Sequence, residues 1–95
     1  MRLFWTLEAL DDRRWVYEHI EADNPSAALA LDELIAEKAY RLADHPGLGR
    51  PGRVPGTREL VAHQNYILVY DTASDLVRIL RVLHAARQWP PLRPR

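Results

Sequence analysis

The chain has no cysteine. That excludes a disulfide framework, a thiolate metal site and a thiol nucleophile. Lysine is almost as scarce, Lys38 alone, so positive charge here means arginine, whose planar guanidinium grips carboxylate and phosphate through paired N–H groups. Glycine is confined to Gly47, Gly49, Gly52 and Gly56 within one short stretch. No apolar run approaches the roughly 20 residues a membrane span requires. The segment from Met1 to Trp5 is interrupted too soon by Glu8, Asp11 and Asp12 to be a secretory signal. A cytoplasmic protein with no membrane association is the expectation. His19, His45, His63 and His84 show no metal-ligand spacing, so neither a metal nor another cofactor is expected.

What is present fits one small domain over residues 1–95, ending in a proline-rich tail at 90–95. The net charge of zero hides a division. Residues 1–46 hold five basic against ten acidic side chains, a net of −5, and residues 47–95 hold eight arginines against three acids, a net of +5.

The stretch 57–84 reads as three consecutive strands, Thr57 to His63, Tyr66 to Thr72 and Leu76 to His84, dense in Val, Ile, Leu and Tyr. Gln64-Asn65 and Ala73-Ser74-Asp75 separate them with the length and chemistry of hairpin turns. Such a meander needs a cover for its apolar face. Leu3 to Thr6 reads as a further strand able to join it. Glu8 to Ala22 has helical spacing through Ala9, Val16 and Ile20, with Trp15 beside them. Arg13 falls where another apolar residue belongs, which predicts a stem along the core edge and a charge in water. Asn24-Pro25 marks a second helix start. Ala27, Leu31, Leu34, Ile35, Ala39 and Leu42 carry that helix to about Ala43.

Residues 45–56 hold three prolines and all four glycines, which predicts a loop without regular structure. It is no phosphate-cradling P-loop, since Gly-Lys-Ser/Thr is absent and a strand follows. Trp15, like Trp5, Tyr66 and Tyr70, is expected at the core or its edge, and Trp89 is expected to pack back on the body. The order is β-α-α-β-β-β, an α+β fold with a helical hairpin on an antiparallel sheet.

Four pieces carry a family resemblance. They are Asn24-Pro25 with Ala27-Ala28; Gly49-Arg50 with Arg53 to Leu60; Tyr66 to Tyr70; and Val77 to Pro90. In this order, over nearly the whole chain, the sequence resembles the RelE/ParE superfamily of type II toxin–antitoxin toxins, closest to the ParE branch. The resemblance implies the β-α-α-β-β-β fold just read. It also implies a cognate antitoxin, acidic and folding on binding, with which the toxin forms a hetero-oligomer.

Function in the superfamily divides between ParE-like inhibition of DNA gyrase and RelE-like cleavage of mRNA on the ribosome. RNA cleavage needs a general base, a general acid and cations facing the phosphorane. Arg58, Arg81 and His84 are the candidates for those roles, but Leu60 and Ile67 stand where RelE-like toxins carry polar or charged side chains. A chain of zero net charge is also poorly equipped to hold ribosomal phosphates. Gyrase inhibition is therefore ranked first and mRNA cleavage second. An inactive relative that only binds antitoxin is the third reading. Contacts to target or antitoxin are expected from Arg50, Arg53, Arg58, Arg81, His84, Arg87 and Trp89.

Overall fold

The β4 strand, Tyr66–Ala73, is the spine of the sheet in the computed structural model, which describes residues 1–86. Tyr66, Ile67, Leu68, Val69 and Tyr70 are all buried, so this strand is covered on both faces. It pairs antiparallel with β3, Arg58–His63, on one side and with β5, Leu76–His84, on the other. Ser74 takes a positive φ of 56° in the β4–β5 turn.

The remaining strands close the two edges. β1, Arg2–Trp5, lies parallel to β5, and β2, Arg50–Pro51, lies antiparallel to β3. The sheet order is β1-β5-β4-β3-β2. The β2 pairing corrects the expectation that residues 45–56 lack regular structure: the prolines at 46 and 55 flank the two paired residues. A proline at Pro51 is tolerated because an edge strand has one side without a ladder partner.

Two helices cover one face. α1 spans Leu7–Glu21 and begins at Thr6, whose Oγ1 accepts the Ala9 N–H at 3.1 Å and donates to the Leu80 carbonyl at 3.0 Å. That cap replaces the start read at Glu8. α2 spans Pro25–Asp44, and Asn24 Oδ1 accepts the Ala27 N–H at 3.1 Å, as the Asn-Pro pair predicts. The inward residue of its first turn is Ala28, whereas Ala27 is exposed.

Between helices and sheet lies the main core: Ala9, Val16, Leu31, Ile35, Ala39 and Leu42 from the helices against Ala62, Leu68, Tyr70, Val77, Ile79 and Val82 from the strands. The alternate residues Ile67, Val69 and Leu83 form a second small cluster on the other side of the sheet. Two side chains depart from their expected places. Arg13 does not run out to water but pairs bidentately with Asp32 of α2, at 2.7 and 3.1 Å, while its guanidinium lies over the Trp5 ring at 4.8 Å. Trp15 is 60% exposed and stacks on His19, rather than joining the core. Its neighbours Val16 and Ile20 already fill the inward stripe.

Candidate interaction site

The loop between α2 and β3 is held by two buried side chains of the sheet. The first is Tyr70 of β4, fully buried. Its hydroxyl donates to the Pro46 carbonyl at 2.7 Å and accepts the Gly49 N–H at 2.9 Å. Gly49 sits so close that an added Cβ would come within 2.7 Å of that hydroxyl and 2.8 Å of the Glu59 carbonyl.

The second is Glu59 of β3, whose side chain is 1% exposed. It stands opposite Arg50 in one ladder and opposite Val69 in the other, on the face away from the helices. A buried carboxylate needs donors and opposite charge. Glu59 finds both: Oε2 accepts the Arg53 backbone N–H at 3.1 Å, and Oε1 faces Arg50 Nη2 at 3.5 Å and Arg53 Nε at 3.4 Å. Two guanidiniums thus share one anion. Their side chains are 61% and 41% exposed, so each presents its remaining N–H donors outward. Thr57 completes the turn by donating its hydroxyl to the Val54 carbonyl at 2.6 Å. Arg58 is committed to the loop from the other end, Nη1 donating to the Gly49 carbonyl at 2.7 Å.

The sequence-derived set therefore divides. Arg50, Arg53 and Arg58 gather on this loop. Arg81 and His84 sit elsewhere, at the end of β5 against α1, where they line a cavity of about 440 Å³ together with Trp15 and Tyr66. Arg58 instead lines a separate hollow with Met1, Pro46 and Thr72. The β4–β5 register shifts between Val69 and Tyr70, which pair with Arg81 and Ile79 and leave Leu80 as the extra residue. This bulge re-aims the strand. Arg81 then reaches Asp12 of α1 in a bidentate pair at 2.7 and 3.0 Å, and the same carboxylate accepts the Val82 N–H at 3.0 Å. The hydrogen bonds that Arg81 donates to Asp12 raise the guanidinium pKa above its already high ordinary value, against the opposing effect of burial. His84 Nδ1 accepts the Ala86 N–H at 3.1 Å, and its ring meets Tyr66 edge-on at 5.3 Å. Arg87 and Trp89, also expected at the site, lie outside the described residues.

Glu59, Tyr70 and Asp12, which organise these contacts, are not among the site residues that the sequence singles out. Glu59 carried a signal, being an acid in mid-strand between Arg58 and apolar neighbours. Asp12 carried none, since only the bulge brings it to Arg81. Among the described residues no group of three or more His, Cys, Asp or Glu side chains could hold a metal ion, and no helix is long and apolar enough to cross a membrane.

A helical hairpin on a five-stranded sheet, with its arginines on the loop before β3, defines a toxin of the RelE/ParE superfamily. The chain belongs to the ParE family: the family model for the ParE toxin of the type II toxin–antitoxin system parDE matches residues 3–89. It is 44% identical over 90 residues to Y4kP of Sinorhizobium fredii, named as a toxin, covering 94% of this chain and 93% of that one. It is 35% identical over 86 residues to toxin RelE2 of Caulobacter vibrioides, covering 90% and 97%. Among solved structures, the chromosomal ParDE toxin–antitoxin system from P. aeruginosa matches with a TM-score of 0.80 and 30% identity, over 88% of this chain and 95% of that one. The RelBE2 toxin–antitoxin complex from Mycobacterium tuberculosis matches with a TM-score of 0.63 and 26% identity, over 87% and 95%.

Proposed function

We propose that this toxin acts by binding and stalling a protein target, DNA gyrase, and is neutralised by a cognate antitoxin whose acidic segment folds on it. The observation that carries this reading is the dispersal of the cations. RNA cleavage needs several polar groups converging on one phosphate. Arg58 faces a different hollow from Arg81 and His84, and each of the three is already engaged within the fold. The Arg50–Arg53 pair, by contrast, is anchored at its base by Glu59 and open outward. That geometry suits capture of carboxylates on a protein surface. An acidic antitoxin segment has the same chemistry, so toxin target and antitoxin would compete for it.

The test is a paired assay on the antitoxin-free protein. Gyrase supercoiling is expected to be lost while mRNA on translating ribosomes stays intact. Codon-positioned mRNA cuts with normal supercoiling would overturn the reading and install the RelE-like ribonuclease, the alternative that the similarity to toxin RelE2 favours. If neither activity appears while antitoxin still binds, the chain is an inactive relative.

A further inference from the structure

The cavity between α1 and the ends of β4 and β5 has no part in the reading above. Its floor is apolar, formed by Val16 and Val82, and its walls are the rings of Trp15, Tyr66 and His84. At about 440 Å³ it falls within the range of ligand pockets. Trp15 is the telling residue. An indole is costly to leave 60% exposed, and tryptophan, tyrosine and arginine in a concave setting are the side chains that anchor protein interfaces.

Charge fixes the kind of partner. Asp11 and Asp12 both line the cavity, and Glu8, one turn before Asp12, is near enough to act on Arg81 electrostatically. Two carboxylates thus line the cavity beside one guanidinium, and that guanidinium is engaged bidentately by Asp12. The Asp11 carboxylate has neither an ion pair nor a hydrogen bond among the described residues. The mouth is therefore aromatic and acidic, opposite in sign to the Arg50–Arg53 loop. An acidic segment suited to that loop would be repelled here.

We propose that this cavity is a second docking site, taking an aromatic side chain next to an arginine or lysine from an exposed segment of a partner protein. The aromatic ring fills the space between Trp15 and Tyr66, and the adjoining cation pairs with Asp11. The site does not depend on which macromolecule the toxin stalls.

The experiment uses the full-length, isotope-labelled chain titrated by NMR with two capped dipeptides, acetyl-Phe-Arg-amide and acetyl-Phe-Glu-amide. The Phe-Arg probe is expected to give saturable shifts centred on Trp15, Tyr66, Val82 and His84, with much weaker binding of Phe-Glu. Asp11→Asn lowers Phe-Arg affinity by roughly two- to fivefold, the contribution of an exposed ion pair, and Trp15→Ala abolishes it. Both positions are solvent-facing, and an unchanged amide spectrum elsewhere verifies the fold of each variant. Equal binding of the two dipeptides, shifts centred on Arg50 and Arg53, or no saturable shift at all would overturn the proposal. So would shifts at the same residues on concentrating the protein alone, which would make the occupant a second copy of the chain.

Discussion

Deleting the Tyr70 hydroxyl tests a single oxygen that serves two loop positions. Tyr70→Phe keeps the ring in the core but strips the Gly49 N–H of its acceptor and the Pro46 carbonyl of its donor. Unpaired buried groups cost about 1–3 kcal/mol each, so a loss of about 2–4 kcal/mol is expected by urea denaturation. A loss well under 1 kcal/mol would mean that water replaces the hydroxyl. Glu59→Ala is expected to cost a similar amount, since it frees the Arg53 N–H and leaves two guanidiniums without their shared anion. Burial of Tyr70 was legible in its sequence, one of five apolar or aromatic residues in a row. The use of its hydroxyl was not, because its partners lie 21 and 24 positions earlier. Side-chain periodicity reports which face a residue takes and says nothing about what its far end meets.

Elements were legible where local chemistry sets them. Asn24-Pro25 marks a helix start by itself, and the three long strands announce themselves by composition and turns. β2 is set instead by Glu59 and Tyr70 pulling the loop onto β3, a long-range cause that Gly and Pro content conceals. The bulge in β5 is equally silent, yet it decides what Arg81 does. Arg81, expected to meet a partner, is tied within the fold to Asp12, joining α1 to β5 across 69 residues of sequence. The pair is only 22% and 14% exposed. Arg81→Ala is therefore expected to cost about 2–3 kcal/mol, between the values for exposed and buried pairs. The exchanged pair Asp12→Arg with Arg81→Asp should recover part of that loss, though not the Val82 hydrogen bond. A double-mutant cycle with no coupling between the positions would refute the assignment. Because the folded state raises the Arg81 pKa, the arginine's side of this stabilisation is fully present through neutral and mildly alkaline pH and is lost only as strong alkali carries the pH through the raised value. Stability across the neutral range should not depend on it.

At the scale of the molecule, the charge division seen along the chain becomes a division in space. The acidic first half supplies the α1 rim of the cavity, and the arginine-only second half supplies the loop before β3. Several arginines are consumed internally: Arg58 by Gly49, Arg78 by Asp71 and Arg81 by Asp12. The count of eight in the second half therefore overstated the cationic surface, since a sum of charges cannot say which are already paired. Arg50 and Arg53 keep most of their donors for solvent or a partner. Replacing both by alanine leaves the buried Glu59 carboxylate with only the Arg53 backbone N–H, so a loss of about 2–3 kcal/mol and a melting temperature lower by roughly 10–20 °C are expected. The same double variant should weaken the proposed gyrase inhibition and antitoxin binding together, by roughly tenfold or more if each guanidinium makes a charge-assisted hydrogen bond to its partner. A variant that folds, yet inhibits and binds antitoxin as the parent does, would move the contact surface away from this loop. Loss of antitoxin binding with full inhibition would separate the two surfaces, leaving the loop to the antitoxin and the target to another part of the sheet.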